Sequence, residues 1–279
     1  MKLTVLIDNH TLIDRYFRGE PGLAFHLQEE NHAILFDTGY SDALIQNAWK
    51  LGIDLLQVDT IVLSHGHSDH TWGLTHLLAL FNEAAEEKRP HKRPRLIAHP
   101  DIFCPRISDK GVEYGMLLEK EKLERRFDLQ LSREPLAITD KLFFLGQIER
   151  RFSFEGKQTL GRVLRQREWE PDAMTDDSAL AYHADQGIVV ISGCSHSGIC
   201  NIVEQAKRVC KKEPVAGIIG GFHLLRPAPE QLNNTIVYLK TLSLPLLHAC
   251  HCTDLASKVA LSSVVPVADV GIGFLIEWR

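Results

Sequence analysis

Thr60-Ile61-Val62-Leu63-Ser64-His65-Gly66-His67-Ser68-Asp69-His70 passes from an apolar tetrapeptide into three imidazoles and a carboxylate within six positions. An apolar run that closes on a glycine-containing turn reads as a buried strand giving way to a loop. Side chains carried at the end of a rigid strand can be held on a common point. His65 and His67 lie two apart and project the same way from an extended segment. Asp69 and His70 follow as the chain turns, where they could face a second ion beside the first. Neutral imidazole suits zinc, iron and other first-row ions, and the carboxylate adds a harder ligand. The segment is therefore read as a metal loop, against the plainer alternative of a solvated histidine-rich turn.

The rest of the chain is ordinary globular sequence. Its 279 residues suffice for a substantial core, with 44% hydrophobic and 24% charged residues. The net charge of -5 gives no basic field for nucleic acid. The one basic cluster, Lys88 to Arg95, follows Glu83, Glu86 and Glu87 and contains two prolines, so it reads as a solvated loop. No secretory signal is recognisable after Met1 and no apolar run approaches the roughly 18 residues of a membrane span, so a cytoplasmic protein without membrane partners is expected. The six cysteines form no Cys-x-x-Cys pair, which argues for free thiols and against an iron–sulfur cluster.

Periodicity predicts strands at Leu3–Ile7, Leu23–Gln28 and Ala33–Phe36, then a helix capped by Ser41 with Leu44, Ala48 and Leu51 on one face. A helix from near Thr71 carries Leu74, Leu77, Leu78 and Phe81 at helical spacing, and Arg95–His99 reads as a strand. Residues 101–172 are the least regular, with a charged helix candidate at Leu117–Phe127 and a strand at Leu142–Leu145. Strands return at Leu180–Tyr182 and Gly187–Ser192, followed by a helix capped by Asn201. A strand at Val215–Ile219, a helix over Glu230–Leu242 and a strand at Leu246–Ala249 come next. A helix near Asp254–Ser262 and strands near Val264–Val267 and Phe274–Ile276 complete the chain. Metal ligands at strand ends in such a mixture fit an α/β protein, an αββα sandwich of two sheets with helices outside.

His-x-His-x-Asp-His resembles the signature of the metallo-β-lactamase superfamily, and Ala33-Ile34-Leu35-Phe36-Asp37-Thr38-Gly39 resembles the strand that precedes it there. The elements Val5-Leu6-Ile7-Asp8-Asn9, Gly193-Cys194-Ser195-His196-Ser197-Gly198, Gly220-Gly221-Phe222-His223-Leu224 and His251-Cys252-Thr253 are similar to a narrower branch. That branch comprises metal-dependent hydrolases related to a dihydropterin-methyl-ribofuranosylaminobenzene-phosphate synthase. The resemblance implies a single fold unit over residues 1–279, with an insertion at about 101–172 that covers or shapes the active site. It implies that Asp37 orders the metal loop through hydrogen bonds. It also implies one or two divalent ions, zinc first, with iron or manganese as alternatives.

On that basis His65, His67 and His196 are expected around one ion, with Asp69, His70 and His251 around the other. Many superfamily members carry a bridging Asp where this chain has Cys194, so either His196 substitutes for it, or Cys194 is a ligand, or the two ions are linked only by solvent. Asp69 is a candidate for orienting or deprotonating water. His223 is a candidate acid or substrate contact, and Asp8, Asn9 and His10 are expected at the mouth. Arg150, Arg151, Arg162, Arg165 and Arg167 suggest a place for an anionic group. His248 points away from the site by strand alternation. Hydrolysis of an ester or phosphoester in a small anionic molecule leads these readings, the substrate being phosphorylated or pterin-like. Alternatives are transfer of a pterin-methyl group to an aromatic amine with loss of diphosphate, iron redox chemistry, and a non-catalytic metal-binding protein. A homo-oligomer is allowed but not specified.

Overall fold

Alternation along the strands sorts the hydrophobic residues into three layers. In the computed structural model, which describes residues 1–211 and 214–279, Leu3, Phe25, Leu27, Ile34 and Phe36 face an inner core. Leu142, Leu180, Val189, Ile191 and Ile219 meet them there from the other side. Leu6, Ala24 and Leu35 face outward onto the helices Ala43–Lys50 and Gly73–Glu86. Ile188 and Val190 likewise face the helices Ile199–Cys210 and Pro229–Thr241. The result is the expected αββα sandwich. Phe25 and Phe36 are fully buried between the sheets, and truncating either to alanine would cost about 3–5 kcal/mol.

One sheet runs in the order Leu275–Glu277, Lys2–Ile7, Ala24–Glu29, His32–Phe36, Thr60–Val62, Arg95–Ala98, Asp128–Leu131. The other runs His248–Cys250, Val215–Gly221, Gly187–Ser192, Ala179–Ala184, Leu142–Phe144, Leu136–Ala137. Thr60–Val62 pairs in parallel with both neighbours, and Val215–Gly221 does the same in the second sheet. Parallel pairing puts their carboxyl ends on one edge of the sandwich, and the loops that leave those ends meet there.

Several local expectations shift. The expected insertion over 101–172 divides: Asp128–Leu131, Leu136–Ala137 and Leu142–Phe144 belong to the two large sheets. Only Arg106–Ile107 and the hairpin Arg162–Arg165 with Glu168–Pro171 form a separate small sheet. The helix expected at Leu117–Phe127 is confined to Lys120–Glu124. Val264–Val267 is no strand; Val267 makes one isolated bridge to Leu247. The residue ahead of the first helix is Asp42, although the Ser41 hydroxyl still accepts from Ala43 N at 3.1 Å. Asn201 lies inside its helix, which starts from Gly198 at φ 95. Its side chain instead accepts from Arg151 N at 2.8 Å and Phe152 N at 3.1 Å. Among the described residues, no helix is long and apolar enough to cross a membrane.

Candidate metal centre

The chain leaves the strand Thr60–Val62 through Ser64, and the following turn is built on backbone satisfaction. Asp37 stands at φ 59 just past the neighbouring strand, fully buried. Its carboxylate accepts from Ser64 N, Ser64 Oγ and His70 Nδ1, each at 2.7 Å. Ser64 Oγ in turn lies 2.9 Å from His65 Nδ1. Gly193 of the second sheet packs against the same serine, where an added Cβ would lie 2.2 Å from Ser64 Oγ. The two sheets can approach here only because that position lacks a side chain.

The imidazoles converge. His65 Nε2 lies 3.2 Å from His196 Nε2, and the His67 ring centroid is 4.5 Å from that of His65 and 4.7 Å from that of His196. Beside them, His70 Nε2 lies 3.2 Å from His251 Nε2, and Asp69 Oδ2 is 3.7 and 3.4 Å from those two nitrogens. Cys194 Sγ sits between the groups, 3.2 Å from His70 Nε2 and 3.1 Å from His251 Nε2, and within 4.8 Å of ligand atoms of His65 and His196. The structure thus brings together all six residues expected around two ions and sets Cys194 where the two sets adjoin.

Outer contacts turn the ring nitrogens inward. His70 Nδ1 faces Asp37, His65 Nδ1 faces Ser64, and His251 Nδ1 faces Asn9 Oδ1 at 3.0 Å. With Nδ1 engaged, each Nε2 is left to point at the common centre, the usual arrangement around a metal-binding imidazole. Asp8 does not reach the mouth as expected: it is buried at the end of the first strand and accepts from His251 N at 2.9 Å, and burial raises its pKa. His67 Nε2 is buried with no partner among the described residues, an expensive state for a lone pair unless something occupies the centre.

The electrostatics favour a cation. Burial lowers the pKa of His65 and His196 well below the ordinary value and that of His67 to about 3, so these rings are neutral with lone pairs available. Burial opposes ionisation of Asp69, but His70 and His251 outweigh it and hold the carboxyl below its usual range. Burial pushes the Cys194 thiol well up, so without a cation it keeps its proton. A bound divalent ion deprotonates such a thiol. The neutral imidazoles of His65, His67 and His196, with the Asp69 carboxylate and the Cys194 thiol, offer donors that suit zinc first and iron second. Burial opposes protonation of His251, but Cys252 and Asp69 raise its pKa to about 9, so a cation bound there would displace a proton.

His223 follows Val215–Gly221 at φ 50, its ring 4.3 Å from that of His196, and its N donates to Cys252 Sγ at 3.2 Å. Burial works against its protonation, but Cys252 and Asp177 prevail and its pKa is raised. His223, Asn9, His10 and Asp69 all line a cavity of about 950 Å³ above the cluster. Asn9 thus reaches His251, the backbone N of Gly22 and the cavity. His248 is buried against Phe274 and Trp278, away from the centre.

The arginine expectation is corrected. None of Arg150, Arg151, Arg162, Arg165 or Arg167 is among the residues lining that cavity. Arg165 pairs with Glu170 and Asp101, Arg151 with Glu149, and Arg150 donates to the carbonyls of Ala173 and Met174. The arginine that matters nearby is Arg106, which the sequence reading passed over. It is fully buried and pairs with Asp172 and Asp176, each at 2.8 Å. Asp176 also accepts from Gly66 N at 2.9 Å, so this ion group is tied to the histidine loop. Gly66 has no room for a side chain there, since a Cβ would meet Arg106 Nη1 at 2.3 Å. Tyr114 edges against His67, ring centroids 4.9 Å apart, and donates to the carbonyl of Leu160, a residue of the cavity wall. The Asp176-Asp177 pair ahead of a buried strand was the available signal for the aspartate side of this cluster; nothing local marked Arg106.

A profile of the metallo-beta-lactamase superfamily matches residues 18–204. The chain is 32% identical over 273 residues to the 7,8-dihydropterin-6-methyl-4-(beta-D-ribofuranosyl)-aminobenzene-5'-phosphate synthase of Methanocaldococcus jannaschii, covering 92% of this chain and 89% of that protein. An uncharacterized protein of the same organism is 29% identical over 264 residues, 94% of each chain. A solved structure described as a metal-dependent hydrolase of the beta-lactamase superfamily superposes with a TM-score of 0.82 at 26% identity, covering 99% of this chain and 98% of that one.

Proposed function

The chain belongs to the metallo-beta-lactamase superfamily, and from that premise we propose that it is a metal-dependent hydrolase of an ester or phosphoester bond in a small anionic molecule. One observation carries the reading: His65 and His196 on one side, and Asp69, His70 and His251 on the other, bring their donor atoms to a shared centre with Cys194 between, and the His67 ring packs edge-on against those of His65 and His196. We assign the first set to one divalent ion and the second to another, with Cys194 as a ligand in the place of a bridging carboxylate. Zinc suits this donor set best. Ions held there supply Lewis acidity and make a water acidic enough to attack near neutral pH.

The chain's own groups do the remaining work. Asp69 lies at the cavity floor, ionised, and is placed to orient the attacking water and accept its proton. His223 lines the same cavity with its Nδ1 unpartnered among the described residues. We assign it the role of donating a hydrogen bond or a proton to the departing oxygen. Asn9 holds His251 and presents its amide at the mouth. The parallel-strand ends and Asp37 keep these groups in place without the substrate's help.

A second reading is favoured by the synthase that is 32% identical over nearly the whole chain. In it an aromatic amine attacks a pterin-methyl carbon and diphosphate leaves, with the same cluster holding the leaving group. One incubation separates the two. Zinc-replete protein is mixed with a dihydropterin-methyl diphosphate and an aromatic amine, and the products are resolved by mass. A pterin alcohol supports hydrolysis, a C–N coupled product supports transfer, and a panel of esters and phosphoesters left intact together with this pair overturns both.

A further inference from the structure

The cavity above the cluster is not uniformly polar, and its asymmetry says what kind of molecule fits it. One wall is the helix Leu255–Leu261. Its position is fixed by Asp254, which accepts from Ser257 N and from Arg226 N, each at 2.7 Å. The parallel bridge Leu224–Thr253 ties the loop after His223 to the same lip. Leu225 from that loop and Leu255 and Val259 from the helix line the opening while 63%, 77% and 64% exposed. Leu255 and Val259 are one turn apart and share a face. Single exposed apolar residues are commonplace, but three on the rim of one concave site form a surface for an apolar part of a ligand.

Lys258 stands on the same helix, half-buried, and is the one lysine or arginine among the described residues that line this cavity. Asp254 and Asp269 line the same cavity, but among the described residues no ion pair joins either to the Lys258 ammonium. It is close enough to Asp8 and Cys250, which lie beneath His251, to influence both. Asp254 is engaged by its two backbone donors, and the arginines once expected to bind an anion are paired elsewhere.

We propose that Lys258 binds a second anionic group of the substrate, distinct from the reacting group over the cluster, with Leu225, Leu255 and Val259 covering an apolar or aromatic body that carries both. This rests on the reading of the cluster as an anion-binding metal centre. It narrows the substrate class to molecules that carry two anionic groups on one apolar or aromatic body.

Calorimetric binding of slow or inert probes to zinc-replete and chelated protein tests it. The probes are phenyl phosphate, para-carboxyphenyl phosphate and the longer para-carboxyethyl-phenyl phosphate. Wild-type protein is expected to bind at least one carboxylated probe about tenfold or more tightly than phenyl phosphate, the worth of one charge-assisted contact. Lys258→Met should erase that preference, measured as the ratio of the two affinities within each variant, and Lys258→Arg should retain most of it. Leu255→Ser should weaken phenyl phosphate but not methyl phosphate. A wild type indifferent to the carboxylate, or a preference that survives in Lys258→Met, overturns the proposal alone. Zinc-independent binding of phenyl phosphate, or none, overturns the metal-centre reading and this inference with it.

Discussion

Replacing Asp37 by asparagine isolates the outer support of the cluster. The carboxylate has no access to solvent and accepts three bonds of 2.7 Å, one from a backbone N–H, one from a hydroxyl and one from His70 Nδ1. Asparagine tolerates the φ of 59 at this position, so backbone strain does not confuse the result. Its amide, however, offers one oxygen where two are needed. If that oxygen serves Ser64 N, the NH₂ faces His70 Nδ1 and drives the ring to the tautomer whose Nε2 carries the proton, which cannot bind a metal. If it turns to His70, Ser64 N is left buried and unsatisfied. Either outcome should cost about 2–4 kcal/mol of folding stability from weakened bonds to a charged acceptor. Metal affinity at His70 should fall about 10–100-fold. Competition with a chromophoric zinc chelator measures the second effect, and thermal unfolding in EDTA measures the first without metal linkage. Zinc affinity equal to that of the wild type would refute the argument that Asp37 sets the His70 tautomer.

Other perturbations probe the surroundings. Arg106→Ala strands two buried carboxylates, Asp172 and Asp176, and should cost about 3–5 kcal/mol in urea unfolding; a loss under about 1 kcal/mol, the value of an exposed ion pair, would mean that water reaches the pair. Burial pushes Glu155 from its ordinary 4.5 up to about 7, although it accepts from Asn201 N at 2.7 Å. Because the folded state then holds this proton more tightly, the group's contribution is greatest below about pH 4.5 and fades as pH rises through 7. The loss is at most about 3 kcal/mol. Glu155→Gln should flatten that part of the stability profile in chemical unfolding at about pH 5 and about pH 7.5; an unchanged slope would contradict it. Gly193→Ala should push Ser64 out of its contacts, since the new Cβ would lie 2.2 Å from Ser64 Oγ. Lowered zinc uptake measures that, and uptake equal to wild type would show that the serine can yield.

The sandwich and the histidine loop were legible because their signals are local. Period-two alternation at Leu3, Phe25, Ile34 and Val189 names the inner faces, and alternation also set His248 away from the centre. Parallel strand ends then gather residues far apart in sequence, so His196 and His251 could be placed with His65 and His70 once their strands were recognised. What eluded the sequence depends on partners that no window contains. Arg106 is isolated in the chain, and its importance comes from Asp172 and Asp176 folding around it. The arginine-rich segment invited an anion site, but Glu149, Glu170 and Asp101 take up much of its charge. Asn201 has good capping chemistry, yet Gly198 begins the helix earlier because it can adopt φ 95, and the loop at Arg151 claims the amide.

Titrating apo protein with cobalt(II) tests the paired-ion reading most directly, because it counts sites and reports their ligands together. Two equivalents should bind, with near-ultraviolet thiolate-to-cobalt absorption that vanishes in Cys194→Ser, and His196→Ala should impair one equivalent while sparing the other. Uptake of no cobalt, or of cobalt with the same spectrum after loss of Cys194, would contradict the centre described for this chain.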